Sequence, residues 1–411
     1  MKSIQSALLA TSLLGITSAH AEPTGLLYGK LTGDTAFDRA WSAATLHKDD
    51  DNQILQEFSL QGRLHLQSIF GEDGGNSFNT SDYKDAGNDE TVWGNDIEAR
   101  RARFGFKSKW FQTWKFDGLI NVDVDNMDNR RDSTLYKDIY DLHLTYAPSD
   151  ALNVGIGKTK VKFTREQEIS SNNIVTLERS LLSNTLFPGE LTGIWASGKG
   201  IADHWLYEVG FYGNDRQREF SDLDGGTIFL AKVGYDYAEH VGYETAVASI
   251  HYMHNTHPGF KPSNTNEYTT GTSPAFKHSI ALTNEMSQGR FGFSSDVVFG
   301  DGEKAQSQVM GVTLIPTYFI ADGLQLVGRL QVATAEDPDD LRVSARYERL
   351  PITNPGAIAR QSGNTYTSLY AGLNYYIYGQ KLKLMNGIEY SKMGGGDYEG
   401  YTLMSGLRFS F

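Results

Sequence analysis

From about residue 54 the chain alternates apolar and polar positions with a period of two. In ILQEFSLQGRLHLQSIF, Leu60, Gly62, Leu64, Leu66 and Phe70 share one parity, and Gln61, Arg63, His65 and Gln67 share the other. Successive side chains of a strand point to opposite sides, so this segment reads as a strand that is greasy on one face and polar on the other. The same pattern recurs in VWGNDIEARRARFGFKSKW, WKFDGLINVDVD, LYKDIYDLHLTYA, LNVGIGKTKV and GIWASG. It continues through HWLYEVGFYG, TIFLAKVGYDY, YETAVASIHYM, KHSIALTNEM, RFGFSSDVVFG and SQVMGVTLIPTYF. It closes with LQLVGRLQVAT, TYTSLYAGLNYYIY, KLKLMNGIEYSK and YTLMSGLRFSF. With GIWASG as a short strand, about sixteen strands are expected, and those of about ten residues or more match a tilted crossing of a bilayer.

The connections alternate in length. Short ones lie near Gln112-Thr113, Pro148-Ser149-Asp150, Ala238-Glu239-His240, Gln288-Gly289, Ala321-Asp322 and Gly379. Long polar ones cover about 71–96, 126–134, 164–190, 214–226, 255–274 and 336–363. Tight turns on one side and long loops on the other describe an up-and-down transmembrane barrel, with the turns periplasmic and the loops extracellular. A secreted soluble β-protein is the competing reading, and it gives no reason for the alternation. Trp110, Trp114, Tyr146, Tyr375 and Tyr376 gather at strand ends, where aromatic girdles sit. The chain ends on LRFSF, in which Leu407, Phe409 and Phe411 alternate with Arg408 and Ser410; a last strand closing on an aromatic residue looks like an outer-membrane assembly signal.

Residues 1–21 read as a signal peptide. Lys2 supplies the positive region, Ala7 to Ile16 a short apolar run, and Ala19-His20-Ala21 a small-x-small cleavage site. An N-terminal membrane anchor is the alternative. Residues 22–53 lack clear alternation and are expected to be a periplasmic tail or an irregular lead-in, which leaves 54–411 for the barrel. Composition agrees with an all-β chain of alternating faces: 22 Tyr, 21 Phe and 43 Gly stand beside only 39% hydrophobic residues. The net charge of −13 argues against a nucleic-acid partner. The chain has no cysteine, so disulfides and thiolate metal sites are absent.

Against that acidic background, RRARFGFKSKW at 100–110 is basic. On a strand, Arg101, Arg103, Gly105, Lys107 and Lys109 share the parity opposite to Ala102, Phe104, Phe106 and Trp110. Cations on the lipid face cost roughly 2–4 kcal/mol each near the midplane, so the cationic set faces the lumen. Arg100 falls on the lipid parity and requires a strand end or a bulge. Arg63 and His65 of the preceding strand also face inward. A confined basic stripe concentrates anions, and guanidinium forks suit phosphate oxygens. The bland alternative is a hydrated interior in which these cations pair with Asp117, Asp123 and Asp141.

The segments GRLHLQ, EARRARFGFKSKW, VGIGKTKVKF, NNIVTLERSLLSNTLFPGELTGIWASG, GLNYYIYGQKLKL and LRFSF resemble the phosphate-selective porin O and P family. The resemblance implies a sixteen-stranded outer-membrane barrel, usually trimeric, in a Gram-negative-type bacterium. It implies no cofactor, no enzyme activity, and small anions such as phosphate as solutes. The resemblance implies that Arg100 and Arg101 fall on the family's arginine pair on the second strand, and Lys160 on the lysine of its glycine-glutamine-phenylalanine-lysine stretch. Arg179 lies in 164–190, which the resemblance implies is an inward constriction loop. The anion-contacting, pore-lining set expected is therefore Arg63, Arg100, Arg101, Arg103, Lys107, Lys109, Lys160 and Arg179. The chain departs from the family pattern at Lys158-Thr159, at Lys162, where proline is usual, and at Glu190, where arginine is frequent. Glu190 and the acidic loops favour a general or cation-preferring porin as the second reading. A plugged barrel serving as an enzyme or adhesin is the third.

His251, His254 and His257 could meet a divalent metal only if they shared a face, and parity separates the first two. DVDNMDN lacks the glycine and glutamate of a calcium loop, and no nucleophile elbow, Walker loop or HExxH occurs.

Overall fold

The structure is a computed structural model, and it describes residues 33–72, 93–124, 135–215, 217–221, 223–259, 275–303, 306–338, 340–343, 362–395 and 398–411. The signal peptide reading for 1–21 lies outside them. So do most of the long connections expected at 71–96, 126–134, 255–274 and 336–363.

Sixteen antiparallel strands close into a barrel. In chain order they are β1 (Leu55–Glu72), β2 (Trp93–Trp110), β3 (Trp114–Val122), β4 (Tyr136–Ser149), β5 (Leu152–Lys160), β6 (Glu190–Ile201), β7 (Trp205–Gly213) and β8 (Thr227–Asp236). They continue as β9 (Thr245–Asn255), β10 (Phe276–Gln288), β11 (Phe291–Gly302), β12 (Val309–Ala321), β13 (Leu324–Ala335), β14 (Thr365–Tyr378), β15 (Leu382–Gly394) and β16 (Tyr398–Ser410). Each pairs with its sequence neighbour, and β16 pairs with β1 from Thr402↔Gly71 to Ser410↔Arg63. Every barrel strand thereby has a partner on both sides over most of its length, as a bilayer demands. The alternation read from the sequence holds: along β14, Tyr366, Ser368, Tyr370 and Asn374 are buried inward while Leu369, Leu373 and Tyr375 are exposed. No helix of the described residues is long and apolar enough to span. The strict alternation of connection lengths does not hold throughout. At the long-loop end, β11 to β12 and β15 to β16 are joined by short connections, the second turning at Gly395 with φ +80°. A hairpin needs only a turn, and long loops are additions to it.

The seam is finished by the chain that precedes the barrel. β1 runs past the end of β16 toward the short-turn side, which would leave an edge bare. The short strand Thr45–Lys48 pairs there with Glu57, Phe58 and Ser59, and Leu60 N donates to Ala44 O at 2.8 Å. This covers an edge that would otherwise invite strangers. Helix α1 (Ala36–Ser42) starts on a capping box of Thr35 and Asp38. Its Trp41 Nε1 donates to Ser410 O at 2.6 Å, its ring lies 5.4 Å from Phe409, and Phe37 stacks on Tyr378 at 5.3 Å. The Tyr378 hydroxyl, with Thr35, holds the Asp38 carboxyl down at about 2.

A second repair follows from β5, which pairs with β4 only as far as Leu142↔Lys158 before the chain turns into the lumen. The β7–β8 connection fills the gap. Arg218 O accepts from Ile139 N at 2.9 Å, and Arg218 Nε donates to Lys137 O at 2.8 Å. Lys158 Nζ donates to Gln217 O at 2.7 Å.

Candidate functional site

Residues 161–189, between β5 and β6, lie inside the barrel. They carry two short helices, α2 (Arg165–Glu168) and α3 (Leu181–Thr185), and two kinds of contact hold them.

The first is apolar. Leu177, Leu181, Leu182 and Leu186 are buried in one cluster with wall residues such as Ile69, Phe276, Val298, Val309 and Met404. Inward-facing glycines make room. A Cβ on Gly406 would lie 2.6 Å from Leu177 Cδ2, on Gly311 2.6 Å from Leu182 Cδ1, and on Gly300 2.9 Å from Leu186 Cδ2. Burying each leucine contributes about 2 kcal/mol.

The second is cationic. A segment without regular structure exposes its carbonyl groups, and in a barrel interior these need donors. Lumen-facing cations supply them. Arg329 NH1 donates to Glu178 O at 2.5 Å, Arg408 NH2 to Leu177 O at 2.7 Å, and Lys383 Nζ to Ile174 O at 2.8 Å. Arg329 is also ion-paired with Glu389 at 3.0 Å, both wholly buried. Glu389 is fixed in turn by Ser368 Oγ at 2.7 Å and Gln331 Nε2 at 3.0 Å.

The expected set divides on this frame. Arg100 is the extra residue of a bulge: His65 pairs with Arg101 and Leu66 with Ala99, so Arg100 is skipped. The bulge turns it inward, where Nε lies 2.6 Å from Glu178 Oε1. Arg179 donates to Glu166 O at 2.7 Å and Ile169 O at 2.8 Å, which fixes the segment to itself. Lys160 Nζ reaches Ile169 O at 3.4 Å. These three hold the inserted segment as well as facing the interior. Arg63 NH1 donates to Ser171 Oγ at 2.9 Å, and Arg103 Nε to Asn121 Oδ1 at 2.6 Å. The Arg103 guanidinium lies over the Tyr140 ring, 3.3 Å from its centroid, with Arg63 at 5.7 Å from the same ring. Arg101 is buried, and its NH1, like that of Arg103, has no hydrogen-bond partner among the described residues. Lys107 is 3.2 Å from Glu57 near the short-turn end, and Lys109 stands in register between Glu57 and Lys115.

The acids expected to neutralise this wall do so only in part. His143 lies 3.1 Å from Asp141 and 3.7 Å from Asp117, so both face a histidine rather than an arginine. Glu190 stands in register opposite Lys160.

The other flank, β8 to β13, is arranged differently. Arg165 NH2 lies 2.5 Å from Glu285 and its NH1 3.1 Å from Glu168, and Lys232 is ion-paired with Glu168. Asp296 accepts from the backbone N–H of Arg165 at 2.8 Å and of Glu166 at 3.3 Å, at the start of α2. Beneath α2 a cavity of about 610 Å³ opens toward the short-turn end, lined by Arg165, Glu168, Glu285, Thr317, Phe319 and Gln325 among others.

Sequence reasoning did not single out Arg329, Arg408, Lys383, Glu178 or Glu389. The first three were on the lumen parity of LQLVGRLQVAT, LRFSF and KLKLM, and a cation on that parity is the signal that finds them. Among the described residues no group of three or more His, Asp or Glu could hold a metal; His251 is buried inward, while His254 stacks on His278 at 4.8 Å.

A family model described as phosphate-selective porin O and P matches residues 74–259, which include the basic strand and the inserted segment. The resemblance read from the sequence is borne out over those residues. No curated protein matches the chain. The fold is similar to that of OmpT of Vibrio cholerae in a trimer form, at 13% identity over 86% of this chain and 99% of that one, with a TM-score of 0.53. It is also similar to Pseudomonas putida OprB, at 12% identity over 86% and 94%, with a TM-score of 0.54. The outer membrane channel DcaP of Acinetobacter baumannii is similar too, at 16% identity over 86% and 97%, with a TM-score of 0.50. The barrel and the family match place the chain in a Gram-negative outer membrane, as a porin-type channel.

Proposed function

We propose that the chain is a passive diffusion channel for small hydrophilic solutes that favours anions, with phosphate as the solute class. Residues 161–189 act as the constriction, and the passage follows the β1–β5 flank. One observation carries this reading: Arg63 and Arg103 meet over Tyr140, Arg101 lies on the same strand as Arg103, and no carboxylate is ion-paired to any of the three among the described residues, while Asp117 and Asp141 face His143. Buried guanidinium charges with no paired carboxylate, in a low-dielectric frame, set up a field that attracts anions strongly. The expected anion-contacting set is Arg63, Arg101 and Arg103, with Lys160 beside them. Arg100 and Arg179 contribute charge from positions that fix the segment. Lys107 and Lys109 guide solutes at the periplasmic mouth. A homotrimer is proposed on the likeness to the trimer form of Vibrio cholerae OmpT.

The second reading is a general or cation-preferring porin. It rests on Glu190, which stands opposite Lys160. The reversal potential of the purified protein in a planar bilayer, under a KCl gradient with phosphate then added, separates the two. A potential on the anion side with block by phosphate is expected. A cation-side potential without block overturns anion preference and moves the filter to Glu190. The absence of any open-channel conductance leaves the barrel and favours a plugged one acting as an enzyme or adhesin.

A further inference from the structure

Parity sets His251 and His254 on opposite faces, which removes a metal site along that one strand. The sheet brings His254 a different partner, from across the ladder. His254 of β9 pairs in register with His278 of β10. Both are outward. His254 shares its face with the exposed Ile250, and His278 with the exposed Ile280 and Leu282, whereas His251, Ser279 and Ala281 are buried inward. The pair stands at the long-loop end, beside the last residue of β9, Asn255, and near the first of β10, Phe276. This is the outer rim of the barrel, where Phe229 of β8 lies in register with His254.

The two imidazole rings are 4.8 Å apart between centroids, with 29° between their planes. An imidazole nitrogen lies about 2.0–2.1 Å from a bound divalent ion, which puts the ring centroid about 3.2 Å from it. Two such rings at about 90–110° around one ion have centroids about 4.5–5.2 Å apart. The pair already stands at a chelating separation, and strand register fixes it there.

The ring nitrogens agree with this. His278 Nδ1 is 2.8 Å from the Tyr252 hydroxyl. With that nitrogen carrying the proton, Nε2 presents its lone pair, and metal-ligating histidines characteristically have such a partner on the other nitrogen. His254 Nδ1 is buried without a partner among the described residues, which leaves Nε2 as its open nitrogen. Asp301 is in register on the other side of His278, but its Oδ1 accepts from Gln308 Nε2 at 3.2 Å. No third His, Asp or Glu joins the pair among the described residues, so the protein's share of ligands is two imidazoles.

A second histidine pair, His204 and His240, has rings 5.0 Å apart at the short-turn end. There the Tyr235 hydroxyl lies 3.0 Å from His240 Nε2. One residue sits in the β6–β7 turn and the other in a helical turn after β8, so no ladder register fixes their spacing.

We propose that His254 and His278 form a two-imidazole site for a borderline divalent cation, Cu²⁺ ahead of Zn²⁺, on the outer rim, with Tyr252 positioning His278. Imidazole suits both ions, and the affinity order peaks at copper. The hard ion Mg²⁺ prefers oxygen ligands. The remaining coordination positions face outward, where water or a lipid phosphate completes them. A bound ion ties β9 to β10 where both leave the bilayer. The site is outside the lumen, so it stands apart from the channel's ion selectivity.

The test uses the whole barrel, purified in detergent without a histidine tag. One equivalent of Cu²⁺ is expected to bind, with nitrogen coupling in the electron paramagnetic resonance spectrum. His254→Ala and His278→Ala are each expected to remove that signal at the same copper concentration, with heat-modifiable mobility on gels unchanged. Tyr252→Phe is expected to weaken binding about tenfold. His204→Ala and His257→Ala are expected to leave it as it is. A parent barrel that binds no copper overturns the proposal. So does binding that keeps the parent's affinity in His254→Ala or His278→Ala, that disappears in His204→Ala, or that excess Mg²⁺ displaces.

Discussion

The inserted segment divides the lumen into two flanks that handle charge in opposite ways. On the β8–β13 flank each charge near α2 has an answer: Arg165 meets Glu285 and Glu168, Lys232 meets Glu168, and Asp296 takes two backbone N–H groups. On the β1–β5 flank Arg63 and Arg103 share one tyrosine ring, and Arg101 keeps a buried NH1 without a partner among the described residues. The number of cations alone therefore does not distinguish a filter from a fastening. A charge tied to the segment fixes it in place, and one with no paired carboxylate leaves its field uncompensated for a passing solute. Arg329 and Arg408 are as cationic as Arg103, but they donate to carbonyls of the segment.

The comparison breaks most completely if the divider moves. Arg329 holds Glu178 O while pairing with the fully buried Glu389. Arg329→Ala leaves Glu389 buried without its counter-ion, which costs about 3–5 kcal/mol. The segment then loses its central fastening. Single-channel conductance is expected to rise and become noisy, and protease is expected to cleave within 161–189 in the folded barrel. Unchanged conductance with an intact segment would show that the leucine–glycine contacts suffice without Arg329.

Removing the open cations tests the flank itself. In Arg63→Ala/Arg103→Ala both guanidinium groups beside Tyr140 are lost, while the fastening through Arg329, Arg408 and Lys383 is untouched. A charge lost near a solvated constriction changes the energy of a passing ion by about 1 kcal/mol or more, roughly a fivefold change in permeability ratio. The reversal potential should move toward the cation side, with heat-modifiable mobility on gels unchanged. A potential like that of the parent channel would mean that the passage does not run along this flank.

These contrasts were unequally visible in the sequence. Period-two parity placed the sixteen barrel strands but not the short strand Thr45–Lys48, and it placed Arg101 and Arg103 inward, because a strand's faces follow from its own residues. It also required a bulge or an end at Arg100, and the bulge lies there. The division between filter and fastening was not legible. Residues 161–189 have no alternation to read, and their leucines meet glycines at 300, 311 and 406, far away along the chain. Whether an inward arginine meets a carbonyl of this segment or open space depends on a path that no local pattern specifies. Glu178 shows the same limit: NNIVTLERS gives no sign that it reaches Arg100 across the lumen.

The smallest effect is expected on the matched flank, and it is the sharpest check on the distinction. Glu285→Gln removes one of the two carboxylates that hold Arg165, while Glu168 remains at 3.1 Å. If matched charges contribute little to the field in the passage, the permeability ratio should change by less than about twofold, although the substitution removes a full charge from the lumen. Lys232→Met is the companion test. It withdraws the cation paired with Glu168 and leaves Arg165 to answer two carboxylates, a change of opposite sign on the same flank. Small shifts in both variants, beside a large one in Arg63→Ala/Arg103→Ala, would locate the filter by its unmatched charge. Shifts of equal size on the two flanks would mean that solutes sample both, with the cavity beneath α2 forming part of the route.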